Sequence, residues 1–252
     1  MLPAFARPHV IAPLVANNNK TPFLGVQHTY TADPETGTLQ PIPSTALSLS
    51  IRSPSPADDR ALEFFHTCIP DPAQFLLQQH AQIRAILGSD LPIRYRNVTL
   101  AFSPADGLAH TQDDIITLSI PWIASWSTRS VDQARHEFQG VITHELVHVV
   151  QYDGAGTAAW WWIEGVADYV RLSLGLAPTQ WTKRGEGTSY QDGYGVTAHW
   201  LAWITEKKVS ARLVRDVNSR LMRSEWREEW IEESTGLTAG TLWDIYKAQS
   251  AS

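Results

Sequence analysis

The stretch His144-Glu145-Leu146-Val147-His148 sets two imidazoles four residues apart, with a carboxylate beside the first. On a helix, residues four apart share a face, so both rings can close on one cation. Imidazole nitrogen suits Zn²⁺ at about 2.0–2.1 Å, and a catalytic zinc keeps three protein ligands plus a water. Glu145, next to the first ligand, is suited to take that water's proton during attack on a carbonyl. Val141, Ile142, Leu146, Val147, Val149 and Val150 make the helix apolar on most sides, so it is expected in the core. Two histidines and a glutamate buried there without a cation would be costly.

Spacing selects among candidates for a third ligand. The metzincin pattern needs a Gly three residues after the second His and a His or Asp three further on; Gln151 and Gly154 stand there instead. The gluzincin pattern takes a Glu from a following helix, and Trp162-Ile163-Glu164-Gly165-Val166-Ala167-Asp168-Tyr169 offers Glu164. Gly154 and Gly156 let the chain reverse between the two helices. Asp168, four residues on, faces the same way and can accept a hydrogen bond from the free nitrogen of a ligand histidine, fixing its ring. Asp153, close to His148 at the helix end, is the rival third ligand, although Asp is also common in turns. The plain alternative for Glu164 and Asp168 is a solvated helix face.

These residues resemble the plant and microbial basic secretory protein peptidases over roughly Leu47 to Tyr246. The resemblance is carried by Glu137-Phe138-Gln139-Gly140-Val141 leading into the histidine motif, by Glu164 through Leu172, and by Gly193-Tyr194-Gly195-Val196-Thr197-Ala198. The Trp-rich run before Glu164 also looks like the third-ligand segment of zinc aminopeptidases. The resemblance implies a zincin-like fold, a zinc-dependent peptidase acting on peptide or protein substrates, and secretion. This chain differs in being acidic and in carrying Trp160-Trp161-Trp162 where smaller residues are expected.

Tyr194 lies in the matching segment. A peptidase needs a donor for the oxyanion that develops on the attacked carbonyl, and a tyrosine hydroxyl serves. Tyr190 and His199 are alternates, and a packing role at a helix start is the plain reading. The remaining histidines, His9, His28, His66, His80, His110 and His136, have no partner at ligand spacing. Trp160, Trp161, Trp162, Trp181, Trp200 and Trp203 are expected mainly in the core, with apolar subsites as the other use. Three activities stay in play: endopeptidase, aminopeptidase, and a catalytically silent module holding a partner in a Trp-lined groove. An aminopeptidase needs an acidic group for the substrate's amine, and no such motif precedes the histidine helix. Intact Glu145 argues against the silent module.

The elements that must position these groups read as an α+β arrangement, strands first and helices after. Strands are expected at Ala46–Arg52, Asn97–Phe102 and Ile115–Ile120, with one further short strand near Thr29. Ile115–Ile120 is a candidate edge strand lining the cleft, where an extended peptide could add on, and equally an ordinary sheet strand. Helices are expected at Ala61–Cys68, Ala73–Leu87, Ser130–Tyr152, Trp161–Leu174, Tyr194–Thr205, Ser210–Met222, Glu225–Thr235 and Leu237–Ala248. Residues 1–45 read as an irregular extension and 46–252 as a zincin-like domain, sheet-bearing over about 46–153 and helical over 154–252.

Composition bounds the chemistry further. The chain has 252 residues, 43% of them hydrophobic, enough for a sizeable core. With Cys68 as its one cysteine it forms no internal disulfide and no thiolate-based zinc site. A formal charge of -6 without any basic block disfavours nucleic acid as a partner. No apolar run has bilayer length, so no membrane span is expected. Pro3, Arg7, Pro8, His9 and Pro13 interrupt the apolar stretch Leu2 to Ala16, so no signal peptide is expected either.

Overall fold

The computed structural model describes residues 48–52, 59–207 and 209–250; the strand expected near Thr29 and the 1–45 extension lie outside them. The described part is a mixed α+β fold: a four-stranded sheet and a larger set of helices. The strands are β1 (Ser48–Arg52), β2 (Asn97–Ser103), β3 (Ala109–Gln112) and β4 (Ile115–Ser119), in the order β1-β2-β4-β3. β1 pairs with β2 and β2 with β4 in parallel, while β3 and β4 form an antiparallel hairpin. Parallel neighbours need a crossover, which α1 (Asp59–Cys68) and α2 (Pro72–Leu87) supply between β1 and β2.

Of the two readings of Ile115–Ile120, the edge strand is overturned and the ordinary sheet strand holds. Ile115–Ser119 is an interior strand, flanked by β2 and β3, and Ile120 opens the short helix α3 (Ile120–Ser125). Its apolar run suits a strand covered by neighbours, whereas β3, Ala-His-Thr-Gln, has no apolar alternation and takes the edge of the sheet. A two-residue turn joins them, with Asp113 at φ 55 between the paired Gln112 and Ile115.

Helix α4 (Val131–Val150) runs through the centre. Ser130 and Gln133 close its N-terminus in a reciprocal capping box, and Phe138, Ile142, Leu146 and Val147 are fully buried. It packs on α1, α2, β3 and β4, and on α5 (Trp160–Ser173), with α5 against α6 (Tyr194–Glu206). The turn between α4 and α5 passes through three consecutive left-handed residues, Gly154, Ala155 and Gly156. Helices α7 (Leu213–Leu221), α8 (Glu229–Thr235) and α9 (Ala239–Ser250) complete the back of the molecule, the first two shorter than expected at their N-terminal ends.

Most of the tryptophans are core. Trp161, Trp162, Trp200, Trp203, Trp230 and Trp243 are buried, and Trp226 links Trp161, Trp162 and Trp230 through ring contacts. A buried aromatic ring hides about 150–250 Å². At about 25 cal/mol per Å² each such ring contributes roughly 4–6 kcal/mol of burial. Trp181 is half-buried and outside this core, and Trp160 is 57% exposed.

Two helix crossings depend on missing side chains. A Cβ on Gly140 would lie 2.5 Å from the guanidinium of Arg171, which reaches from α5 to Glu137 on α4 at 3.3 Å. A Cβ on Gly165 would lie 2.3 Å from Thr197 Cγ2 on α6, a fully buried side chain. Alanine gains about 1 kcal/mol of helix propensity over glycine, but overpacking costs about 1–3 kcal/mol. At 2.3 Å the overlap is severe, so Gly165→Ala should lower stability by about 1–2 kcal/mol in chemical denaturation. A variant as stable as the parent would mean that α5 and α6 separate freely and that the crossing is not tight.

Candidate metal centre

The apolar faces of α4 and α5 bring three donor atoms to one point. His144 Nε2 lies 3.2 Å from His148 Nε2 and 3.2 Å from Glu164 Oε2, and His148 Nε2 lies 3.7 Å from Glu164 Oε2. Four ligands around a tetrahedral ion at about 2.0–2.1 Å stand roughly 3.3–3.4 Å apart, so the triangle has the size such an ion needs. Among the described residues this is the group of His, Cys, Asp or Glu side chains close enough to hold a metal. The side chains are largely buried, at 11%, 17% and 25% exposed.

His144 and the neighbouring Glu145 are each held by a hydrogen-bond partner. His144 Nδ1 donates to Asp168 Oδ1 at 2.8 Å; since an ionised carboxylate only accepts, this leaves Nε2 turned to the triangle. Asp168 itself is buried, one helical turn beyond Glu164. Glu145 is buried beside the triad, and the Thr111 hydroxyl lies 2.7 Å from its Oε2 and 2.9 Å from its backbone carbonyl oxygen. Thr111 belongs to β3, so the edge strand reaches directly into the site. No spacing in the sequence singles Thr111 out, because its partner is 34 residues away on another element.

Tyr194 opens α6 with its backbone at φ 43, a conformation a tyrosine rarely adopts and one that marks sites where orientation matters. Its ring stacks on His144 at 6.1 Å between centroids, its phenol lies close to the Glu164 carboxylate, and it is 40% exposed. The alternates are elsewhere. Tyr190 donates its hydroxyl to Glu228, and His199 Nε2 contacts Thr182 O. Asp153 is engaged by Arg94 at 2.6 Å and accepts from Gly156 N, as a turn aspartate does. The structure therefore brings His144, Glu145, His148, Glu164, Asp168 and Tyr194 together and leaves Asp153 outside.

The electrostatics express the same crowding. Burial alone would lower the His144 pKa, but the charge and hydrogen bond of Asp168, the hydrogen bond to Glu164 and the charge of Glu145 outweigh it and raise it to about 10. His148 goes the other way, lowered by burial and by the neighbouring His144 charge. Burial would raise Glu164, yet the hydrogen bond from His144, both imidazole charges and Tyr194 hold it below the usual carboxylate range. Burial and the carboxylates of Glu164, Asp168 and Glu145 push the Tyr194 phenol well up, so it stays protonated and able to donate.

Two imidazoles and a carboxylate in a metal-sized triangle, with a further buried glutamate alongside, have the make-up of a metal-dependent hydrolase site. Residues 44–246 match the family described as "BSP: Peptidase of plants and bacteria", and the chain belongs to that basic secretory protein family. Among solved structures it is similar to a two-domain M1 zinc metallopeptidase mutant bound to L-arginine, at 12% identity and a TM-score of 0.51. It is similar also to the M1 zinc metallopeptidase from Deinococcus radiodurans, at 14% identity and a TM-score of 0.50. Each match covers 82% of this chain, which spans 49% of the length of either structure; at such identity the likeness is one of fold. No curated protein matches the sequence.

The raised His144 pKa makes metal binding a competition with a proton. In the metal-free site His144 holds its second proton up to about pH 10, and a cation needs that nitrogen bare. The sign follows: binding expels a proton, so apparent affinity for Zn²⁺ should rise with pH, by about tenfold per unit between roughly pH 6.5 and 9. Competition against a chelator calibrated at each pH measures the slope. A flat profile would show that the cluster holds no such proton.

Proposed function

We propose that the chain is a zinc-dependent peptidase, its domain spanning residues 46–252, in which His144, His148 and Glu164 hold the ion. The observation that carries this reading is the donor triangle, with sides of 3.2, 3.2 and 3.7 Å, in a chain of a peptidase family. Bound there, zinc would polarise the scissile carbonyl and lower the pKa of a water.

The protein groups then divide the remaining work. Glu145 takes the proton of the attacking water and delivers it to the leaving nitrogen as the C–N bond breaks, a role for which a positioned carboxylate gives about 10²–10⁴-fold. Thr111 holds that carboxylate in one orientation. Tyr194, stacked on His144 and kept protonated, turns its hydroxyl from Glu164 to the developing oxyanion. Asp168 holds His144 in the tautomer a ligand requires. We read the activity as endopeptidase: Glu145 and Asp168, the further carboxylates beside the triad, are engaged by Thr111 and His144 rather than free to grip a substrate amine.

Metal analysis paired with digestion of a peptide library, with and without chelator, tests the reading. Glu145→Gln should keep stoichiometric zinc while turnover falls by about 10²–10⁴-fold, since the ligands stay and the proton acceptor goes. Near-normal turnover in that variant would sink Glu145 as the base. Glu164→Ala should lose stoichiometric zinc and Asp153→Ala should retain it; the reverse pattern would overturn the ligand set.

A further inference from the structure

Helix α5 turns one face to the donor triangle, and its first residue stands on that face. Trp160 and Glu164 are four apart, so they project from the same side of the helix, with Asp168 a further turn on. Trp161 and Trp162 point inward and are buried, whereas Trp160 is the most exposed of the large apolar side chains among the described residues and takes no part in the core. Its ring adjoins that of Tyr194 at 6.3 Å between centroids, and Tyr194 in turn stacks on His144. Two exposed aromatic rings thus follow one another outward from a donor histidine.

The indole is exposed but held. A Cβ on Gly193 would lie 2.5 Å from Trp160 Cζ3 and 2.8 Å from Cη2, so the benzene half of the ring fills the space that a side chain at 193 would need. Gly193 also adopts φ 75, a conformation that L side chains rarely take, so the backbone beneath the ring suits glycine on both counts. A ring already fixed in place loses little freedom when something covers it. The reach is short as well: the indole lies within about 12 Å of the His144 ring, a distance that an extended peptide covers in three or four residues at about 3.3–3.6 Å each. A peptide laid across the triangle can therefore set a side chain on the indole within that many residues of the bond being cut.

We propose that Trp160 determines specificity: its indole, flanked by Tyr194, forms a subsite for a large apolar side chain of the substrate, aromatic or branched aliphatic, near the scissile bond. This rests on the peptidase reading of the triad and names the class of peptide that the site selects. The chemistry of the occupant follows from the surroundings. The neighbours of the ring, the Gly193 backbone and the Tyr194 ring, bring no charge to hold an ammonium or guanidinium beside it. A cation over so exposed a ring stays hydrated and gains little, whereas an apolar side chain withdraws its own surface and that of the indole from water together.

The test compares wild type, Trp160→Ala and Trp160→Phe on peptides that carry Phe, Leu, Ala or Arg at one position at a time on either side of the cut. At the position that meets the indole, wild type should cleave the Phe and Leu peptides about 10–100-fold better than the Ala peptide by kcat/KM. Trp160→Ala should bring that ratio close to one, and Trp160→Phe should keep most of it. A second measurement leaves the indole in place: in Glu145→Gln, the Phe peptide should protect Trp160 from hydroxyl-radical oxidation mapped by mass spectrometry, and the Ala peptide should protect it far less. A wild type indifferent to these side chains, a wild-type ratio retained in Trp160→Ala, a preference for Arg that disappears with the indole, or equal oxidation of Trp160 with and without the Phe peptide would overturn the subsite and leave the peptidase reading standing. A wild type that cleaves none of the peptides would overturn both. If Trp160→Ala does not fold, the oxidation of Trp160 decides the matter.

Discussion

Between α4 and α5, an acceptor-only carboxylate meets an imidazole at 2.8 Å, and the pairing of Asp168 with His144 determines much of what surrounds it. A buried carboxylate has to be compensated, and this one is compensated by a ring whose other nitrogen then turns toward His148 and Glu164. Without a cation, that convergence is relieved only by keeping a proton on His144, which is why its pKa rises while that of His148 falls. The same groups thus hold a proton at the point where, on the proposed reading, an ion would bind.

Such a cluster needs rigid walls, and the helices supply them by close approach. Arg171 crosses to Glu137 over Gly140, and α6 lies on α5 because Gly165 leaves Thr197 its place. Behind them the rings of Trp161, Trp162, Trp226 and Trp230 fill the space toward α8. On the opposite side β3 brings Thr111 against Glu145. Polar precision at the centre is therefore held by apolar packing around it, as expected where a half-satisfied buried network would be destabilising.

The α4 and α5 residues of the site were legible because helical spacing is local: positions four apart on one helix share a face whatever the rest of the fold does, so His144 with His148 and Glu164 with Asp168 follow from the sequence. Family resemblance, rather than spacing, pointed to Tyr194. What was not legible depends on contacts between distant segments. Thr111 reaches Glu145 only because β3 takes the sheet edge, and β3 has no apolar alternation to announce it. The apolar run at Ile115–Ser119 left edge strand and ordinary strand equally open because periodicity reports burial and not neighbours; strand order alone shows it to be interior. Tryptophan was rightly assigned to the core at Trp161, Trp162, Trp200 and Trp203, but not at the half-buried Trp181 or at Trp160, which is the first residue of α5 and exposed.

The short connection between α4 and α5 also bears on how the molecule comes together. His144 and Glu164 are 20 residues apart in the chain, whereas the β1–β2 contact between Ser50 and Thr99 closes a loop of 49. Loop-closure entropy grows with the logarithm of that separation, so bringing β1 to β2 costs about 0.8 kcal/mol more, and it also requires α1 and α2 to be laid across the sheet. Contacts close in sequence form fastest. On chain entropy alone, the helical hairpin that carries the donor triangle closes before the sheet does, and the sheet is built onto it.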